Sequence, residues 1–222
     1  MIAIGDIHGC CRTAEALLEK LESFPDRKLI FIGDYIDRGP CSREVVDLML
    51  DLEKSRDCVF LRGNHEQMLL DALEQEDRGH YMIWMNNGGM QTLHSYEISS
   101  KQPGVSEIPS DHLDFYRRTQ FYYTTEEYFF VHAGLSPERL IAESIEDPSC
   151  RHQFLWSRDH LNVLEPVWEK KVVFGHTVRP EPIRRPEMIG IDTGCVYDGP
   201  GYGRLTAVVL PEEQFVHQEN VD

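Results

Sequence analysis

"LIFIGDYIDRG", residues 29–39, carries an apolar run into a glycine and then sets two aspartates and an arginine within five residues. The same punctuation recurs at "MIAIGDIHG" (1–9), "VFLRGNHE" (59–66), "FFVHAG" (129–134) and "VVFGHT" (172–177). Helix-length amphipathic segments separate the first three: Arg12 to Ser23, with Leu17, Leu18 and Leu21 on one face; a segment from Ser42, read as the N-cap of "REVVDLML"; and "HEQMLLDALEQ" (65–75). The spacing from Asp6 to Asp34 to Asn64 gives one βα unit per step, a βαβαβ pattern of parallel strands covered on both faces.

The second half returns to shorter strands between Pro and Gly turns. "FYYTTEEYFFVHAG" (121–134) reads as a hairpin, and "KKVVFGH", "PEMIGIDTG", "RLTAVVL" and "QFVHQE" read as further strands. The expected class is α/β (α+β): two packed mixed β-sheets flanked by helices, in a single domain over 1–222. Residues 77–120, with a Trp, Asn and Gly cluster and then "SSKQPGVSEIPSD", read as a helical insertion whose exposed loop forms a lid.

Lys and Arg number 22 against 38 Asp and Glu, a net charge of −16. That balance argues against nucleic-acid or membrane partners, so any phosphate must be captured locally. Cys10, Cys11, Cys41, Cys58, Cys150 and Cys195 show no C-x-x-C spacing and fit reduced thiols. The chain opens directly on a strand pattern, and "HYMIWMNNGGMQTLHSY", its longest stretch free of Asp, Glu, Lys and Arg, is broken by Asn, Gln and Gly. A soluble, cytoplasmic monomer is expected.

Side chains at the carboxyl ends of parallel strands converge on one crevice. Asp6, His8, Asp34, Asp37, Arg38, Asn64, His65, His132 and His176 all stand at or just past such ends. Any one of them alone reads as a turn or surface residue; their recurrence after five apolar runs reads as a site. Carboxylate, imidazole and amide oxygen suit a hard or borderline divalent metal. Two ions are expected, Asp6 and His8 holding one, Asn64, His132 and His176 the other, with Asp34 between them.

"GDIHG", "GDYIDRG", "LRGNHE", "HAG" and "GHT", in this order, resemble the metal-dependent phosphoprotein phosphatase family of the calcineurin-like metallophosphoesterases, most nearly its small bacterial and phage type. "NNGG" after a Trp, "LWSR" and "IDTGCVYDG" extend the likeness across most of the chain. The resemblance implies a metallophosphoesterase-type sandwich and the metal set Asp6, His8, Asp34, Asn64, His132 and His176, with Mn²⁺ the expected ion and Fe, Zn or Mg as alternatives. It places the catalytic histidine at His65, the aspartate that orients it at Asp37, and phosphate-gripping arginines at Arg38 and Arg158. Asn64 and Arg62 are carried over as substrate contacts, Arg62 by position alone. His65, held protonated by Asp37, is then expected to supply the leaving group's proton as a metal-activated hydroxide attacks.

The activity so implied is serine/threonine, or dual-specificity, protein phosphatase, acting on a phosphorylated protein or a small phosphomonoester. The alternative is hydrolysis of diadenosine tetraphosphate or a related nucleotide. It ranks second because such enzymes often carry Ala where this chain has Asp37 and Asp where it has Glu66. No cysteine has an arginine six residues on, and no G-x-S-x-G elbow, P-loop or dinucleotide fingerprint occurs, so covalent catalysis leaves no mark.

Overall fold

Alternate residues of each central strand enter different apolar layers. Ile2, Ile4, Leu29, Phe31 and Phe60 face one layer, while Ala3, Ile30, Val59 and Leu61 face another. Such period-two burial on both faces belongs to strands sandwiched on either side. The computed structural model describes residues 1–74, 78–99 and 107–222. One sheet has the order β10 (Gln214–Glu219), β9 (Arg204–Val209), β1 (Ile2–Ile4), β2 (Leu29–Phe31), β3 (Cys58–Phe60), with β1, β2 and β3 parallel. The other runs β4 (Tyr122–Thr124), β5 (Tyr128–Val131), β6 (Lys171–Phe174), β8 (Met188–Gly190), β7 (Ile183–Arg184), with β5, β6 and β8 parallel.

Ala3, Ile30, Ile32, Tyr128, Phe130, Val173, Ile189 and Val208 fill the space between the sheets. Each isoleucine, valine or phenylalanine side chain among them, when fully buried, contributes about 1.5–3 kcal/mol. The outer face of the first sheet is covered by α1 (Cys11–Leu21), α2 (Ser42–Leu52), α3 (Asn64–Glu74), α5 (Met90–Ser95) and α6 (Ser110–Arg118). That of the second is covered by α7 (Ile141–Glu146) and α8 (Arg151–Trp156), through Ile141, Phe154 and their neighbours. The expected two-sheet sandwich with outer helices is therefore the observed architecture, and none of the helices among the described residues is long and apolar enough to cross a membrane.

Local expectations need correction in two places. Ser42 is the first residue of α2 and Cys41 its cap; the serine hydroxyl instead accepts the backbone N–H of Asp37 at 3.0 Å. Hydrogen bonding to that loop replaces helix capping. The short strand β7, two residues long, carries too little pattern to be read in advance. Within 77–120 the described parts are α4 (Arg78–Trp84), a wide turn at Met85–Gly89 broken by Gly88 at φ 110°, α5 and α6. Most of the expected lid loop lies outside the described residues.

Candidate active site

The parallel strands of both sheets end at the same crevice. β1 leads to Asp6 and His8, β2 to Asp34, Asp37 and Arg38, β3 to Asn64 and His65, β5 to His132 and β6 to His176. Five of these side chains are aimed by strained backbone, with positive φ at His8 (49°), Asp34 (54°), Asp37 (71°), Arg38 (71°) and His176 (60°). Such conformations each cost on the order of 1–3 kcal/mol and persist only where surrounding contacts impose them. Glu66 is one source of those contacts. Its buried carboxylate accepts the N–H groups of Asp34, Tyr35 and Gly63, all at 2.9 Å, clamping the β2 and β3 loops together. Gly63 is required there because a Cβ would overlap the Asp34 carboxylate.

Donor chemistry at the centre fits divalent cations. His8 Nδ1 donates to Ile36 O (2.9 Å) and His132 Nδ1 to Ile32 O (3.0 Å), which leaves each Nε2 as a lone pair. His132 Nε2 then faces Asn64 Oδ1 at 2.9 Å and Asp34 Oδ1 at 3.4 Å, and His8 Nε2 lies 3.5 Å from Asp34 Oδ2. Acceptors turned on acceptors are repulsive until a cation lies among them; at His8 the Arg38 guanidinium already meets the lone pair, whereas His132 Nε2 faces only acceptors. Asp34 belongs to two buried clusters, with His8 and His65 and with His132 and His176, whose ligand atoms lie within 4.8 Å of one another. Asp6 Oδ1 and His176 Nε2 are buried without a hydrogen-bond partner, and His176 Nδ1 is 2.9 Å from Asn64 Oδ1. The expected six residues are thus gathered in one place, although His65 rather than Asp6 completes the cluster with His8.

The charges agree with this reading. Burial and the nearby carboxylates of Asp192 and Asp34 push Asp6 well above the usual carboxylate range, and burial drives His8 and His132 down. Burial also opposes ionisation of Asp34, yet the imidazoles of His132, His65 and His8 hold its carboxyl well below normal. Burial and His132 push His176 down to about 2, so its imidazole is neutral throughout the working range.

His65 is held differently. Its Nδ1 lies 2.6 Å from Asp37 Oδ2, while Nε2 has no partner and sits 4.0 Å from Asp34 Oδ2. Burial lowers its proton affinity, but Asp34 and the Asp37 bond outweigh that and the net shift is upward. Asp37 in turn accepts from Trp84 Nε1 (3.0 Å to each oxygen) and from Thr92 Oγ1 (2.6 Å). Neither Trp84 nor Thr92 was singled out from sequence; the tryptophan before "NNGG" was the available signal. Asp192, buried at the end of β8 by the same strand-end logic, was missed as well.

A cleft of about 520 Å³ opens over this centre, with Asp34, Asn64 and His176 at its floor and Arg38 and Arg158 among its walls. Arg38 Nη1 donates to His8 Nε2 at 2.7 Å. Arg62 is placed elsewhere. Its guanidinium donates to Thr119 Oγ1 (3.0 Å), Gln67 Oε1 (3.0 Å) and the carbonyls of Tyr116 (3.2 Å) and Arg117 (2.7 Å), bracing α3 against the end of α6. Those bonds use most of its N–H groups and Arg62 is not among the residues that line the cleft, so this geometry gives it a bracing role rather than the anticipated place beside the substrate.

A family model described as calcineurin-like phosphoesterase matches residues 1–201. Among sequence relatives, a bis(5'-nucleosyl)-tetraphosphatase PrpE [asymmetrical] of Oceanobacillus iheyensis is 29% identical, covering 96% of this chain and 89% of its own. A protein of the same name from Geobacillus thermodenitrificans is 30% identical over 94% of this chain and 89% of its own. Among solved structures, a putative diadenosine tetraphosphatase superposes with a TM-score of 0.65 at 24% identity, covering 100% of this chain and 93% of its own. A serine/threonine phosphatase from Saccharomyces cerevisiae gives 0.61 at 14% identity, with coverages of 100% and 80%. Those two likenesses concern the fold alone, and the fold accommodates both activities.

The sequence relatives overturn the protein-phosphatase expectation, since they carry the name of the reading ranked second. The physical reason lies in where the deciding residues point. Asp37 and Glu66 are fully buried, one holding an imidazole and the other clamping backbone N–H groups. Neither lines the cleft, so neither reads the substrate.

Proposed function

This chain belongs to the calcineurin-like phosphoesterase family, and we propose that within it the chain is a metal-dependent hydrolase of bis(5'-nucleosyl) tetraphosphates, cleaving them asymmetrically. Near full-length similarity to relatives named for that activity carries the reading. Asymmetric cleavage consumes one water and yields a nucleoside monophosphate and a nucleoside triphosphate.

Asp6, His8, Asp34, Asn64, His132 and His176 would hold two divalent ions, Mn²⁺ being the first to test. Ions bound there would supply Lewis-acid neutralisation of phosphoryl oxygens and water with a pKa lowered toward neutrality. The chain's own groups do the rest. Arg38 and Arg158 neutralise the non-bridging oxygens as charge develops. His65, fixed through Nδ1 to Asp37, presents a protonated Nε2 to the departing oxygen. Because a departing triphosphate is a weak base, that proton matters less here than for an alkyl phosphate.

Metal-stripped protein assayed with and without Mn²⁺ on diadenosine tetraphosphate, p-nitrophenyl phosphate and phosphopeptides tests the proposal. Equal amounts of AMP and ATP, formed only with metal, are expected from the dinucleotide. An intact dinucleotide beside dephosphorylated peptides would overturn it.

A further inference from the structure

The cleft reaches further than one phosphoryl group requires. Beyond Arg38 and Arg158 it is lined by Arg179, three residues after His176, and by Tyr197, in the loop after β8. Six arginines of this acidic protein have carboxylate partners among the described residues: Arg27 with Glu212, Arg117 with Glu74, Arg118 with Glu53, Arg139 with Asp147, Arg184 with Glu213 and Arg204 with Glu181. The guanidinium groups of Arg158 and Arg179 make no hydrogen bond or ion pair among the described residues, and both side chains are exposed at the cleft. In a chain of net charge −16, both of these guanidinium groups open on the same cavity without a carboxylate beside them. Their shared feature is the cleft.

Arg179 and Tyr197 are held together by the backbone. Arg179 N donates to Asp192 O at 3.0 Å, which ties the loop after β6 to the loop after β8, and Tyr197 N donates to Gly194 O at 2.9 Å. The Tyr197 ring is 39% exposed, and its centroid is 5.7 Å from the Arg38 guanidinium carbon. It therefore offers an aromatic surface beside the proposed phosphate grip. A half-exposed ring next to cations is how a nucleobase attached to phosphates is received.

We infer that Arg179 and Tyr197 form a subsite for the nucleotide beyond the scissile phosphate, Arg179 neutralising a neighbouring phosphate and Tyr197 stacking a base. The inference rests on the nucleotide-hydrolase reading, but its test is a binding measurement. Metal-loaded wild-type protein, Arg179→Gln, Tyr197→Leu and Tyr197→Phe would be titrated calorimetrically, at a fixed excess of Mn²⁺, with orthophosphate, inorganic triphosphate, ribose 5-phosphate and AMP. Arg179→Gln should raise the Kd for triphosphate relative to that for orthophosphate by about tenfold, the typical loss of a charge-assisted bond. Tyr197→Leu should raise the Kd for AMP relative to ribose 5-phosphate by about tenfold, with recovery in Tyr197→Phe. Wild-type ratios in both variants, or equal weakening of all four ligands, would overturn the subsite. An inert dinucleotide in wild-type turnover would overturn the nucleotide-hydrolase reading instead, leaving these ratios to decide the subsite.

Discussion

The buried centre and the rim of the cleft are built on opposite principles. At the centre Asp34, Asp37, His65 and Glu66 are almost wholly excluded from solvent, the two aspartates sit on strained backbone, and their contacts reach across strands. At the rim Arg158, Arg179 and Tyr197 are exposed, and the two arginines are unpaired among the described residues. Preorganised electrostatics belong to the centre, where solvent cannot relax around a developing charge. Selection of one phosphate compound over another belongs to the rim, which meets the rest of the substrate.

Asp34→Asn attacks the centre most directly. The carboxylate faces His8 and His132 from its two oxygens, and an amide halves its acceptor capacity and removes its charge. Metal content after dialysis, by plasma mass spectrometry, should fall well below that of wild type. Activity on every substrate should fall on the order of 10³-fold or more. Full metal occupancy in the variant would remove Asp34 from the shared position between the clusters.

His65→Asn separates proton transfer from metal binding. Turnover of an alkyl phosphate should drop by about 10²–10⁴. The dinucleotide and p-nitrophenyl phosphate, with weakly basic leaving groups, should lose less while metal content stays near normal. A loss independent of leaving group, or one accompanied by loss of metal, would recast His65 as a ligand of the cluster it forms with His8 and Asp34.

Legibility in the sequence followed the same divide. Strand ends marked by glycine and charge located the buried cluster of histidines and carboxylates, because burying polar groups at a strand's mouth forces a short, distinctive spelling. The paired sheets were readable from apolar runs such as "VVF" and "YFFV" for the same reason. Glu66 and Asp37 were used to choose the substrate, yet they serve the backbone and an imidazole within the protein. Tyr197 and Arg179 lie in loops where neither periodicity nor burial restricts residue type. Trp84 and Thr92 reach Asp37 across 47 and 55 residues, a distance no local pattern encodes.

Acid should unsettle the rim's support. His160, in the turn just after Arg158, is fully buried, its ring 4.6 Å from that of Phe174, with neither nitrogen hydrogen-bonded. Burial pushes it down to about 4. A histidine depressed in the folded state is equally neutral in both states above its unfolded pKa of about 6.5, so its stabilising effect is intact there. As pH falls toward 4 the unfolded chain takes up the proton first, and up to about 3 kcal/mol is lost. Chemical denaturation from pH 7 to pH 4 should show this slope and His160→Leu a shallower one; parallel slopes would deny the residue a part.

Trp84→Phe should have the smallest effect, and it tests whether the centre draws on the 77–120 segment. The indole N–H reaches both Asp37 oxygens at 3.0 Å from α4, so phenylalanine keeps most of the buried volume and deletes one donor to a buried carboxylate. Thr92 Oγ1 remains on Oδ1, and the expected loss of stability is about 1–3 kcal/mol. Charge less neutralised on Asp37 attracts the His65 proton more strongly, so the alkaline limb for an alkyl phosphate should move to higher pH while metal content stays unchanged. A loss of stability without movement of that limb would make Trp84 a packing residue; movement of the limb makes it a positioning residue that acts on the chemistry through Asp37.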